Sequence, residues 1–422
     1  MDNQQYDNTV VTQNQVGRQR NGGVWVSLPV CILCILLSCL FVFMATFVSL
    51  SLTMKREINR AYGEAAKYEK LLEVAELYEQ YYYYDTDDKQ AAERLASVYG
   101  MAVGDTFTSY YTAEEWQKSY ETSMGNAIGI GIYVSADTEG RVVILRVMAD
   151  SPAEKAGLMQ GDIILSVDGT LVEKVGYVAA TDLILGEINT EVALSVQRGE
   201  ETMEVRVMRG QYTPQTVFAE TVTVDDTLYG YLYITGFEGT TKSQFISAMN
   251  ELRSEGAKGL IFDVRSNPGG ELEVIVDILD ILLPEGPIVH LLEKGKDPFT
   301  YTSDDEEVNL PMVVLTNDGT ASAAELFTAA LKDYEKAVIV GEKTFGKGCG
   351  QVGRPLSDGS VVFITNFLYN PPFSDNYDGV GIVPDHEVEL DAEYQSVNVL
   401  MVPHDKDAQL AAAINILHEK TK

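Results

Sequence analysis

The sequence has few cysteines, histidines and basic residues, and each shortage excludes a class of function. Of four cysteines in 422 residues, only Cys349 lies beyond residue 54, so that part of the chain cannot form an internal disulfide. The four histidines lie in no recognisable catalytic-triad motif, so a serine nucleophile would need a different base. With 31 basic and 63 acidic residues the net charge is −32, which argues against nucleic acid or an anionic membrane surface as the main partner.

A long apolar run lies near the N terminus. Residues 21–54 carry no charge, and the apolar run exceeds the ~20 residues needed to cross a bilayer. It is also longer than the 7–15 residues typical of the core of a signal peptide, and no clear cleavage motif follows. We therefore predict an uncleaved transmembrane anchor over 24–54, after a short tail over 1–23. Basic residues flank both ends of the anchor. Slightly more of them follow the anchor than precede it, so the positive-inside rule weakly favours a cytoplasmic location for the part of the chain after the anchor.

The other three cysteines all lie in this anchor. Cys31, Cys34 and Cys39 would face lipid or a partner helix there, so their spacing predicts neither a metal site nor a redox site. No cofactor is expected elsewhere in the chain.

Residues 311–351 have the pattern of a strand, a polar turn, a helix, a second strand and a glycine-rich turn. Ser322 stands at the start of the helix, where two interpretations compete. Ser322 and Glu325 have the spacing of a capping box, which is typically worth about 1 kcal/mol. Alternatively, Ser322 is a nucleophile placed where helix N–H groups could stabilise an oxyanion.

A lysine could serve as the base for such a serine if burial lowered its pKa from about 10.4 towards 7–8. Lys347 suits this demand because its sequence neighbours are Phe345, glycines and Cys349, with no adjacent carboxylate. Cys349 is itself a second, less favoured candidate nucleophile.

The glycine-rich turn also matches a phosphate-binding loop. Residues 341–347 have the G-x-x-x-x-G-K spacing and follow a predicted strand. However, Gly348 replaces the Ser or Thr that would bind magnesium, and residues 349–364 predict a hairpin rather than a helix. Nucleotide binding is therefore the weaker interpretation.

Two further regions define the predicted domains. Residues 125–210 contain a Gly-Ile-Gly-Ile segment over 129–132, several short strands and a capped helix at 151–157, followed by alternating strands and helices from residue 227. The alternation predicts an α/β core with parallel strands. The boundaries are 55–124 for an N-terminal helical segment, 125–210 for a small peptide-binding domain, 211–394 for the core and 395–422 for a C-terminal helix.

These motifs together resemble the C-terminal processing (tail-specific) serine proteases over roughly residues 70–417. In that family a serine is followed 25 positions later by a lysine base and four further on by a glutamine that orients the lysine, which matches Ser322, Lys347 and Gln351. The resemblance implies an α/β protease core built from crotonase/Clp-like superhelical β-α units, with an inserted PDZ domain. The family's Asp-Pro-Tyr-Ser segment corresponds to residues 105–108.

The resemblance also implies roles for further residues. It assigns supporting roles to Glu325 and Thr344, and it gives the oxyanion N–H groups to the 263–270 segment and the start of the helix. In the PDZ domain it implies that backbone N–H groups hold a C-terminal carboxylate. The residues concerned are Gly269, Gly270 and Ala323 for the oxyanion, and Gly129, Ile130, Gly131 and Ile132 for the peptide.

The predicted function is thus a membrane-anchored serine endopeptidase with a Ser–Lys dyad and no metal or other cofactor. Its substrates would be proteins with apolar C-terminal tails, and the resemblance places the catalytic part outside the cytoplasm. A homodimer is left open. The alternatives are a catalytically silent PDZ adaptor and, less favoured, a nucleotide-binding protein; the PDZ-like domain could also be only a spacer.

Overall fold

The structure, a computed structural model, describes residues 27–422, so the predicted tail over 1–23 and the first residues of the predicted anchor lie outside the described residues. Residues up to 88 and residues 89–422 form separate compact units. The first unit contains helices α1 (Leu28–Ala66) and α2 (Glu69–Tyr81). Within the described residues, Leu28–Arg56 is the one helical stretch long and apolar enough to cross a membrane. The helix continues beyond the predicted end of the anchor at residue 54.

The second unit begins with a segment that is not entirely helical. Helices α3 (Asp88–Ala102) and α4 (Ala113–Ser123) flank a short strand β1 (Ser109–Tyr111). The 55–124 segment was predicted to be helical, but β1 pairs with Val361–Phe363 of the core, where tyrosines and β-branched residues face one another. A capping box of Thr112 and Glu115 then starts α4.

Residues 127–212 form a small β-rich domain. Its main sheet runs in the order β3-β4-β5-β7-β8, with β6 beside β5, and β2 pairs with β9 where the chain enters and leaves. Its helix α6 is interrupted at Gly176, which adopts φ 80°. The elements are β2 (Ala127–Gly129), β3 (Ile132–Ala136), β4 (Val142–Val147), α5 (Pro152–Lys155), β5 (Ile163–Val167), β6 (Thr170–Leu171), α6 (Val172–Ile184), β7 (Glu191–Arg198), β8 (Glu201–Met208) and β9 (Gly210–Tyr212).

The core that follows alternates strands and helices, as predicted. One sheet has the order β10-β11-β12-β15-β16-β19, in which all neighbours from β11 onward are parallel; a second has the order β1-β18-β13-β14, with β17 beside β18. The elements are β10 (Val217–Val224), β11 (Thr227–Ile234), α7 (Thr241–Glu255), β12 (Leu260–Asp263), α8 (Leu272–Leu282), β13 (Gly286–Glu293), β14 (Phe299–Ser303), β15 (Met312–Thr316), α9 (Ala323–Asp333), β16 (Ala337–Gly341), β17 (Cys349–Pro355), β18 (Val361–Asn370), β19 (His386–Glu387) and α10 (Ala408–Thr421).

The parallel strands are buried on both faces. Helices α7, α8 and α9 cover one face, and α10 covers the other through Leu410, Ala413 and Leu417. Because α10 seals one face of the sheet, the C-terminal helix is part of the core. The small β-rich domain lies between β1 and β10 in the chain, so it is inserted between strands of the core.

A buried ionic cluster joins α10 to the end of β12. Arg265, 1% exposed, pairs with Asp263 at 2.5 Å and with Asp407 at 2.8 Å, and Gln409 accepts from its guanidinium at 2.8 Å. Asp407 also caps α10 by accepting from the Leu410 N–H. The cluster therefore fixes the segment that follows β12 against the C-terminal helix.

We expect Asp407→Ala to lower the free energy of unfolding by about 3–5 kcal/mol, because it leaves the buried Arg265 without one of its two carboxylates. Urea unfolding measures the change. Asp277→Ala, which removes an exposed pair with Lys242 at 2.7 Å, is the matched control and should cost no more than about 1 kcal/mol. Equal losses in the two variants would contradict the assignment.

Candidate active site

The candidate site lies at the carboxyl ends of the parallel strands, where open α/β sheets commonly bind ligands. Strand β12 leads into residues 264–270, β15 into 317–322, and β16 into 342–348. Because β12, β15 and β16 are adjacent, these three segments meet at one edge of the sheet. The sequence placed the predicted nucleophile, oxyanion groups and base on these segments.

Ser322 sits immediately before α9 in an unusual backbone conformation. Its φ of 57° and ψ of −120° are costly for a residue with a Cβ, and such conformations cluster at functional sites. A Cβ on Gly269 would lie 2.7 Å from the Cβ of Ser322, so only glycine allows the two segments to approach this closely.

The Ser322 hydroxyl contacts a residue that sequence reasoning missed. Tyr369 is buried, and its hydroxyl oxygen lies 3.1 Å from Ser322 Oγ and 2.5 Å from the Lys347 carbonyl oxygen. Since a carbonyl oxygen can only accept, the tyrosine proton goes to Lys347 and the Ser322 hydroxyl donates to Tyr369. Burial raises the pKa of Tyr369 beyond the range of physiological titration. No motif in the sequence marked this residue.

Glu325 connects the serine segment to the lysine segment. Its side chain is fully buried, and its Oε2 accepts from the N–H groups of Ser322 at 2.9 Å and Lys347 at 2.7 Å. Its Oε1 accepts from the Thr344 hydroxyl and from the Gly346 N–H, both at 2.6 Å. These four hydrogen bonds take the place of those that the carboxylate would make to water. They also join the Ser322 segment to the Lys347 segment.

Lys347 is half-buried beside an aromatic ring. Its Nζ lies 4.8 Å from the centroid of Phe107, which comes from the segment before the small domain. Burial lowers the pKa of Lys347, while Cys349 and the carboxylates of Asp105, Asp378 and Glu325 oppose that change. The sequence suggested that Lys347 lacks a neighbouring carboxylate, which is wrong in three dimensions because the fold brings distant acidic residues towards it.

Ser322 and Lys347 face the same cavity, of about 620 Å³. Among the hydrogen bonds of the described residues, none joins Ser322 Oγ to Lys347 Nζ, since the serine is bonded to Tyr369 and the ammonium lies over Phe107. The two side chains therefore share one cavity without being hydrogen-bonded to each other. The lining includes Gly270, Ser322, Ala323, Lys347, Gln351 and Tyr369.

Gln351 also faces the cavity but does not contact Lys347 through a hydrogen bond among the described residues. Its Nε2 donates to Thr365 Oγ1 at 3.1 Å and approaches Cys349 Sγ at 3.8 Å.

The predicted oxyanion donors differ in availability. The Gly269 N–H donates to Asn267 Oδ1 at 2.9 Å and is therefore occupied. The N–H groups of Gly270 and Ala323 have no hydrogen-bond acceptor within the described part of the chain, and Ala323 is the first residue of α9. The N–H groups of Gly270 and Ala323 are therefore the better candidates for oxyanion donors.

Two alternatives from the sequence are disfavoured by the local geometry. Burial raises the pKa of Cys349 to about 11, so its thiol stays protonated near neutral pH and is a poor nucleophile. In the glycine-rich turn, the N–H groups of Gly346 and Lys347 bond to Glu325 and that of Gly348 bonds to Asp378. Because carboxylates already occupy these donors and β17 follows instead of a helix, the turn cannot cradle a phosphate.

The predicted peptide-binding residues, Gly129 to Ile132, lie apart from this cavity, where β2 ends and β3 begins. Gly131 has φ 78°, and a Cβ there would lie 2.4 Å from Ser151 Cβ. The Tyr177 hydroxyl donates to the Val134 carbonyl at 3.1 Å, which links α6 to β3.

Comparisons with known proteins agree with this architecture. Residues 228–388 match the model of peptidase family S41, and residues 127–208 match a PDZ domain model. Proteins from Staphylococcus aureus and Staphylococcus haemolyticus, each described as a "Probable CtpA-like serine protease", are 34% identical over 74% and 75% of this chain. The aligned region spans 63% and 64% of those relatives, so this chain covers less than two thirds of their length.

A solved structure of a Bacteroides fragilis protein assigned to the S41 proteases has the same fold. It superposes with a TM-score of 0.54 at 19% identity, covering 81% of this chain and 99% of the other. On these matches, the chain contains a peptidase family S41 region over residues 228–388 and a PDZ domain over residues 127–208.

Proposed function

We propose that this protein is a serine endopeptidase in which Ser322 is the nucleophile and Lys347 is its base. The observation that carries the proposal is that one buried carboxylate, Glu325, holds the backbones of both residues at the mouth of one cavity. Burial already lowers the pKa of Lys347, as a neutral amine base requires. To react, Lys347 Nζ must leave Phe107 and Ser322 must exchange its bond to Tyr369 for one to the amine.

In this mechanism Lys347 takes the Ser322 proton while Oγ attacks the peptide carbonyl. The N–H groups of Gly270 and Ala323 would then stabilise the oxyanion, where one lost donor typically costs about 10²–10³ in rate. Thr344 and Glu325 support the site from behind, since Thr344 bonds both to Glu325 and to the Ile382 N–H at 2.7 Å. Gln351 would orient the lysine amine.

We also propose that the PDZ domain selects substrates by their C-terminal tails through the 129–132 segment. Its insertion within the core supports a link between tail binding and cleavage, and the strand β3 next to this segment could pair with an added strand. The N-terminal helix would be a single-pass anchor with the catalytic part outside the cytoplasm, and the parallel β-α repeats are consistent with crotonase/Clp-like superhelical units.

We expect wild-type protein to cleave an unfolded protein substrate, and Ser322→Ala and Lys347→Arg each to abolish cleavage. A guanidinium stays protonated near neutral pH and so cannot act as the base. Gel assay of substrate loss measures the effect, and Lys343→Arg, on the exposed side of the same turn, is the control. Normal cleavage by Lys347→Arg would remove the dyad from consideration.

The dependence of kcat/KM on pH should report the neutral lysine. Because the free amine is the active form, activity should rise with pH and level off above the pKa of Lys347, and burial places that midpoint below 10.5. Steady-state assays from pH 5 to 10 measure the midpoint. A profile that is flat over this whole range would contradict a titrating base.

Tail selection can be tested with paired peptides that share a cleavage sequence and an apolar tail, one ending in a free carboxylate and one in an amide. We expect the amide to raise KM, because the N–H groups of the 129–132 segment lose their anion. A pair lacking the tail is the control. Equal KM values for the carboxylate and amide peptides would contradict the proposal that the PDZ domain selects substrates by their C-terminal carboxylates.

A further inference from the structure

The orientation of the Gln351 side chain is set by two neighbours. Its Nε2 lies 3.1 Å from Thr365 Oγ1 and 3.8 Å from Cys349 Sγ. An amide group donates through nitrogen and accepts through oxygen, so its orientation depends on whether these neighbours can donate to it.

Thr365 cannot donate to Gln351, because its single hydroxyl proton is already used. Thr365 Oγ1 donates to Asp105 Oδ1 at 2.8 Å, and the Thr365 N–H donates to the other oxygen of the same carboxylate at 3.1 Å. The hydroxyl therefore offers only a lone pair to the glutamine.

Cys349 adds a weaker contact on the same side of the amide. Its sulfur lies 3.8 Å from Gln351 Nε2 and is a weak acceptor. Thr365 therefore requires the nitrogen end of the amide, since a reversed amide would place Oε1 against a hydroxyl that has no proton left to donate.

The opposite end of the amide is the one that matters for catalysis. With Nε2 committed to Thr365 and Cys349, Oε1 keeps its acceptor capacity, and Gln351 and Lys347 line the same cavity. An oxygen acceptor can take an N–H of the neutral lysine amine and so direct the lone pair of the amine towards Ser322.

Asp105 holds Thr365 and also fixes the turn beside Lys347. It also accepts from the Thr108 hydroxyl at 2.6 Å and from the Phe107 N–H at 3.2 Å, and these contacts fix the 105–108 turn. That turn lies outside both regions that match the family models, and it also carries the ring beneath Lys347.

We propose that Asp105 and Thr365 are positioning residues for the proposed protease: the carboxylate accepts the hydrogen bond of the threonine hydroxyl and thereby fixes the Gln351 amide with its oxygen towards Lys347. The inference rests on the proposed dyad.

The test is Thr365→Val, which keeps the shape of the side chain and removes the hydroxyl. We expect kcat to fall about ten- to hundredfold with little change in KM, since a catalytic group is misplaced and substrate binding is not. The midpoint of the pH profile should also move lower, because a reversed amide presents its N–H groups to the lysine cation. Thr365→Ser should restore most of the rate, and the exposed Thr223→Val should match wild type.

A double-mutant comparison separates positioning from general damage. In a Gln351→Ala background, Thr365→Val should not lower kcat further, and circular dichroism should show that the variants remain folded. If wild type cleaves in a Ser322-dependent manner but Thr365→Val matches it, or adds its full loss to that of Gln351→Ala, the positioning proposal is overturned. Failure of wild type to cleave would instead overturn the proposed function, and this inference with it.

Discussion

The site depends on one buried carboxylate. Glu325 is the third residue of α9, so it lies in the first helical turn, where the helix dipole favours negative charge. From there it accepts hydrogen bonds from the backbone at Ser322 and Lys347, two positions that belong to different loops. The Phe345 N–H also donates to the Thr320 carbonyl at 3.0 Å, so this backbone bond and the Glu325 carboxylate together hold the lysine segment at the mouth of α9.

The contacts around Ser322 and Lys347 keep the two side chains in one cavity but without a hydrogen bond between them. The Ser322 hydroxyl donates a hydrogen bond to Tyr369, and the ring of Phe107 stabilises the Lys347 cation by a cation–π contact. Both contacts favour a charged lysine and a neutral serine. In the proposed mechanism, substrate binding would provide the free energy that exchanges these contacts for a hydrogen bond between Ser322 and Lys347.

Distant parts of the chain complete the site. The 105–108 turn reaches it because β1 joins the sheet that carries β17 and β18. The segment after β12 is anchored by the pair of Arg265 with Asp407, which is the capping residue of α10. Elements that lie before the PDZ domain and at the C-terminus thus both constrain the loops around Ser322.

The sequence by itself determined the α/β alternation, the PDZ-like domain and the spacing of Ser322, Lys347 and Gln351, because these depend on local periodicity, turn residues and fixed motif intervals. Only the tertiary structure decided the partners of these residues. The lysine met carboxylates that sequence neighbours did not suggest, and the Gly269 N–H proved to be occupied. Tyr369 and Thr365 joined the site from β18, and Asp105 joined it from the turn before β1. Side-chain contacts between segments far apart in the chain depend on strand register and loop geometry, and no local pattern encodes them.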